Sequence, residues 1–87
     1  MEGKPKHKVG VIDHYFGHLG VAVINVSSPL RVGDKIRVEH SDGTMVLEEA
    51  IESMQIERTK IAEAKPGQSV GLKVSEKVHQ GNLVYKV

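Results

Sequence analysis

Cysteine and tryptophan are absent from this chain of 87 residues, and its phenylalanine and tyrosine rings are limited to Tyr15, Phe16 and Tyr85. Without cysteine there is no disulfide, no thiolate metal site and no cysteine nucleophile. With so few aromatics the core falls to Val, Ile, Leu and Met, and the prevalence of valine favours strands. No long apolar run is present either. The stretch after the first lysines is broken by Asp13 and His14, too soon for the hydrophobic centre of a signal peptide or for a membrane span. A soluble, cytoplasmic protein with no membrane partner is the expectation. Nor is one charge in excess: 12 Lys and Arg face 11 Asp and Glu for a net +1, which argues against a uniformly basic nucleic-acid binder. A chain this short makes one domain and buries only about two thirds of its unfolded surface, so little interior is left for an enclosed active site.

The charge that is present is unevenly placed. Lys4, Lys6 and Lys8 make the first residues basic, residues 38–57 hold Glu39, Asp42, Glu48, Glu49, Glu52 and Glu57 with no Lys or Arg, and Arg58, Lys60 and Lys65 follow. A flexible basic tail at residues 1–7 is expected ahead of a single domain at 8–87 that carries an acidic hairpin and a basic loop.

That domain reads as strands. Gly33-Asp34-Lys35-Ile36, Gly67-Gln68-Ser69-Val70 and Gly81-Asn82-Leu83-Val84 repeat one order, glycine, polar, any, apolar, as expected of a glycine turn that launches a strand. Alternation predicts strands near 8–16, 19–26, 34–40, 69–74 and 82–87. Val21 and Val23 alternate with Ala22 and Ile24, which predicts a strand buried on both sides. Asp42-Gly43 predicts a two-residue hairpin turn that sets Val38 opposite Leu47 and Arg37 opposite Glu48. Residues 48–65 are a conflict, being rich in helix formers and free of Gly and Pro, which favours a helix. No capping residue precedes them, however, and Met54 and Ile56 alternate with Ser53 and Gln55, so a strand to about Glu57 and then a loop is the expectation. Val11, Val23, Ile36, Val38, Leu47, Met54, Val70, Leu72 and Val84 are the expected core, and an all-β, small antiparallel barrel is the expected class.

Ile51-Glu52-Ser53-Met54-Gln55-Ile56, Ala64-Lys65-Pro66-Gly67 and Val70-Gly71-Leu72 together resemble the second, β-barrel domain of translation elongation factors, nearest to the archaeal and eukaryotic tRNA-delivering factor and elongation factor Tu. Gly17-His18-Leu19-Gly20-Val21, Leu30-Arg31-Val32-Gly33-Asp34 and Val78-His79-Gln80-Gly81-Asn82 extend the resemblance over residues 8–85. It implies a closed six-stranded antiparallel Greek-key barrel. The family's phosphate-binding G-x-x-x-x-G-K-[ST] has no counterpart, so nucleotide binding and GTP hydrolysis are not expected. Ile24-Asn25-Val26-Ser27-Ser28-Pro29 stands where the family places an arginine-bearing stretch, so its aminoacyl-end pocket is not carried over.

Two catalytic patterns are weak. Gly67-Gln68-Ser69-Val70-Gly71 fits G-x-S-x-G, but a nucleophile elbow needs a helix beneath its serine, and a valine-rich strand follows here. His14 and His18 would share a face only in a helix, and no third ligand accompanies them. No catalytic residue, metal or cofactor is expected, and two roles stay open. One is a translation-factor-like module touching the phosphates of tRNA or ribosomal RNA with Lys4, Lys6, Lys8, Arg58, Lys60 and Lys65. The other is a protein-interaction adaptor docking on a partner enzyme or GTPase through Glu39, Asp42, Glu48 and Glu52. Convergence of the basic tail and basic loop on one side would favour the first.

Overall fold

Strands alone build residues 7–87, the part of the chain that the computed structural model describes. They are β1 (His7–Phe16), β2 (Val21–Val26), β3 (Leu30–Arg31), β4 (Lys35–Glu39), β5 (Met45–Ala50), β6 (Met54–Ile56), β7 (Thr59–Ile61), β8 (Glu63–Ala64), β9 (Ser69–Lys73) and β10 (Leu83–Lys86). Eight form one antiparallel sheet in the order β5-β4-β10-β1-β2-β9-β6-β7, while β3 and β8 form a separate ribbon. The all-β, antiparallel class is therefore as expected. Six strands closed into a barrel are not what the ladders give, because the end strands β5 and β7 are not paired with each other among the described residues. The ribbon reaches toward both ends instead. The Val32 amide donates to the Ala62 carbonyl just past β7, and Gly33 and Asp34 bond to Ile51 just past β5.

β1 serves two neighbours by bending. Its register slips between Lys8 and Gly10 against β10, and between Ile12 and His14 against β2, and each such bulge adds bend and twist. The first bulge leaves Val9 and Gly10 buried side by side. A Cβ on Gly10 would stand 2.6 Å from the Asn25 carbonyl oxygen and 2.6 Å from Ile24 Cγ2.

The repeated glycine phrase is one turn used three times. Arg31, Lys65 and His79 each donate their amide to the side-chain oxygen of the third residue on, Asp34 Oδ2, Gln68 Oε1 and Asn82 Oδ1, at 2.8 Å in every case. The amides of Asp34, Gln68 and Asn82 return to the carbonyls of Arg31, Lys65 and His79 at 3.0, 3.2 and 3.1 Å. Between each pair sits a glycine at φ of +96°, +92° or +91°, a conformation that other residues adopt at a cost. Two residues past each turn, Ile36, Val70 and Val84 enter the core. Asn82 is itself buried, and its amide also meets His40 Nδ1 at 3.3 Å. Asn82→Ala should therefore cost about 1–3 kcal/mol, against roughly 0.5–1.5 kcal/mol for Gln68→Ala, because the first removes a buried side chain with two part-buried hydrogen bonds, to the His79 amide and to His40, whereas the Lys65 amide freed by Gln68→Ala is exposed and turns to water. Urea unfolding of the two variants checks the ranking, and an equal loss would refute it.

Ile36, Val38, Leu47, Met54, Val70, Leu72 and Val84 are buried as expected. Val11 and Val23 are corrections, since both are only half-buried and point outward. With apolar residues on both flanks of β2, hydropathy could not choose the inner one. The pairing chooses Ala22, Ile24 and Val26, with Ile12 opposite Ile24. In the β4–β5 hairpin Val38 does face Leu47 and Arg37 does face Glu48. Its turn, however, is longer than two residues: His40 donates to the Thr44 carbonyl, Gly43 to the His40 carbonyl, and a bulge between Val38 and Glu39 absorbs the slip.

The helix-favouring segment forms no helix. Where a loop was expected after Glu57, the chain turns on Glu57 and Arg58 at φ of +49° and +68° and returns as β7, with Ile56 opposite Thr59. Such two-residue turns normally carry Asn-Gly, and side chains larger than these are strained there. Replacing Glu57 by Asn together with Arg58 by Gly should stabilise the domain by about 1 kcal/mol. A urea midpoint that stays put or falls would show that the native pair makes compensating contacts.

Candidate functional site

Lys4 and Lys6 lie outside the described residues. Lys8 is exposed on β1 opposite Tyr85, Arg58 tips the β6–β7 hairpin, Lys60 faces Gln55 on β7, and Lys65 opens the turn before β9. In the sheet order, β2, β9 and β6 stand between Lys8 and Lys60, so the described cations do not line up in one row.

The acidic positions are largely engaged within the domain. Glu39 is 2% exposed and its carboxylate takes Arg37 Nε at 2.6 Å. Glu48 meets Lys35 at 3.5 Å and Arg37 at 3.7 Å. Asp42 accepts the Thr44 amide at 2.9 Å, and that bond, together with the Thr44 hydroxyl, holds its carboxyl below the usual carboxylate range. Glu52 is exposed in a shallow hollow beside Glu49, Lys73, Val74 and Ser75, where Glu49 accepts the amide and hydroxyl of Ser75. Ser69, the serine of the G-x-S-x-G pattern, stands at the start of β9 and donates its hydroxyl to Asn25 Oδ1 at 2.8 Å. Among the described residues no group of three or more His, Asp or Glu is arranged to hold a metal ion, and no helix is long and apolar enough to cross a membrane.

A different surface stands out around the β1–β2 hairpin. Phe16 pairs with Val21 and His14 with Val23 across the ladder, so all four project from the outer face. The His14 ring meets Phe16 edge-on, with centroids 4.4 Å apart, an arrangement that aromatic rings favour. The turn that follows is closed by the amides of Leu19 and Gly20, both donating to the Phe16 carbonyl, and it sets Leu19 at the tip. Phe16 is 40% exposed and Leu19 60%. On the far side Val21 faces Lys73 and Val23 faces Gly71. A Cβ on Gly71 would lie 3.2 Å from Val21 Cγ1, so the glycine lets Val21 lean over β9. The inner flank of β2 is sealed, with Ala22 and Ile24 fully buried, while on the outer flank Val21 and Val23 are half-buried and Asn25 is exposed. The sequence carried the signal in its two-sided apolar strand, which implied a cover on each side.

No known protein-family profile matches the chain. An uncharacterized protease of Methanocaldococcus jannaschii is 32% identical over 80 residues, which span 92% of this chain and 19% of the protease. This chain thus corresponds to about a fifth of that relative's length. Among solved structures, the C-terminal domain of a Geobacillus thermoleovorans protein named as a U32 peptidase superposes with a TM-score of 0.84 at 22% identity, covering 93% of this chain and 92% of that one. Its selenomethionine form gives 0.82 at 21% identity, with 90% and 96% covered. At such identities the two structures establish a shared fold.

These relatives correct the resemblance to elongation factors. They are a protease and a peptidase domain, and the expectation of a translation-factor-like module binding tRNA or ribosomal RNA falls with the resemblance. The reason is physical. The motifs that carried it, at Gly33, Gly67 and Gly81, are requirements of a turn with positive φ, and any small β-fold with sharp corners meets them in the same way.

Proposed function

We propose that this chain is the C-terminal accessory domain of a U32-type peptidase and performs no hydrolysis by itself. The observation that carries this reading is the pairing of two coverages: nine tenths of this chain matches nine tenths of a peptidase's C-terminal domain, yet only 19% of a whole protease. Catalysis in such a protein is assigned to the four fifths outside the match. The engagement of Ser69 with Asn25 and of Glu39 with Arg37 supports that division. So does the small interior, which the β3–β8 ribbon makes barrel-like by drawing the two sheet ends together and which valine, isoleucine and leucine fill.

A domain exchange tests the proposal. With the 80 aligned residues of the Methanocaldococcus jannaschii protease replaced by this chain, the product should fold and keep whatever peptide hydrolysis its parent shows on casein. The isolated 87-residue chain should release no peptides. Hydrolysis by the isolated chain, or a folded exchange product that has lost its parent's activity, would falsify the reading.

A further inference from the structure

We propose that the tip of the β1–β2 hairpin, with Phe16, Val21 and Val23 on its outer face and the exposed Leu19 in its turn, is the surface on which the remainder of a U32-type protein seats. The proposal rests on the reading of this chain as that protein's C-terminal domain. Val21 to Ile24 of β2 are apolar on both flanks, yet this chain buries only the inner flank fully, leaving Val21 and Val23 half-buried beside the exposed Phe16. A strand of this kind belongs between two layers, and open apolar patches mark contact surfaces. The patch is also built to be rigid. His14 stands edge-on against Phe16, two amides from the turn hold the Phe16 carbonyl, and Gly71 adds no side chain beside Val23. The positions flanking it are His14 on β1 and Lys73 on β9, and the Lys73 ammonium, with Glu49 and Glu52 in the hollow beside it, forms a charged rim of the kind that stays in contact with water around an apolar centre.

The occupant follows from what lies outside the matched stretch. In the Geobacillus thermoleovorans relative this fold is the C-terminal domain, so the rest of that polypeptide precedes it and joins at the His7 end of β1, the strand whose other end carries Phe16. The Methanocaldococcus jannaschii protease, of which this chain matches 19%, shows the size of such a remainder: several times the domain, large enough to reach along β1 from its attachment to the hairpin. Tethering keeps its effective concentration high, so a patch of modest area suffices to hold it.

The absence of cysteine makes the test direct, since Leu19→Cys creates a lone thiol in this chain and Ser41→Cys, at the exposed β4–β5 turn, serves as the control. Maleimide labelling at each position, read by peptide mass, is compared between the isolated chain and the exchange product described above. Labelling at position 19 should slow by about tenfold or more in the exchange product, the factor expected when a thiol reacts only from an opened state, while position 41 is unchanged. Equal rates at position 19 in a folded exchange product overturn the docking face and leave the accessory-domain reading standing. An exchange product that does not fold removes both. Protection at position 19 that appears in the isolated chain as its concentration rises overturns the proposal in favour of a second copy.

Discussion

Leu72→Ala is expected to cost about 2–5 kcal/mol, the range for a buried leucine whose cavity closes only in part. Leu72 is 1% exposed on β9, paired with Ala22 on one side and Met54 on the other. Ala22 has no side chain to swing into the gap, and only Met54 is flexible enough to fill part of it. A domain of this size holds roughly 4–13 kcal/mol in all, so the substitution removes a large share. Since each kcal/mol moves the melting temperature of so small a domain by about 4–8 °C, calorimetry should record a fall of about 8 °C or more. A shift of only a degree or two would show that Leu72 is not central to the core.

Gly10→Ala is expected to be nearly as damaging for the opposite reason. The new Cβ would meet backbone, the Asn25 carbonyl at 2.6 Å, as well as Ile24 Cγ2. Neither can yield cheaply, because Gly10 pairs with Val26 and Val11 with Asn25 in the β1–β2 ladder. Overpacking of this kind costs about 1–3 kcal/mol and more where main chain must move. Gly17→Ala is the control: its nearest neighbour is Tyr15 Cε2 at 3.6 Å, an ordinary contact, so thermal unfolding should barely change. Equal melting temperatures for the two variants would refute the crowding at the first bulge of β1.

Much of this fold was legible because its signals are local. The three glycine turns, the opposition of Val38 to Leu47 and seven core positions follow from residues close in sequence. What escaped depended on partners far along the chain. β3 and β8 are two residues each and exist only through their mutual pairing across Leu30 and Ala64. The turn at Glu57 and Arg58 lacks the residues that announce such a turn, so its return strand read as loop. The inner flank of β2 was undecidable from hydropathy, and the bulges that set it leave no mark in composition. That same ambiguity concealed the candidate site, because the strand of Val21 and Val23 read as buried on both sides, with Val23 in the core. The family was misread for a related reason: turn motifs report backbone geometry, and backbone geometry is shared more widely than function.

Each glycine turn is complete within four residues, since both of its bonds run between the first and the fourth. Closing so short a loop costs little entropy, so these turns are able to form in a chain that has no other structure. The ribbon between β3 and β8 joins Leu30 to Ala64, and the ladder between β1 and β10 joins His7 to Lys86, nearly the whole chain. Pairings of that span are slow to find. Folding should therefore begin with three corners already bent and wait on the meeting of β1 and β10, which makes the rate of folding far more sensitive to that ladder than to any of the turns.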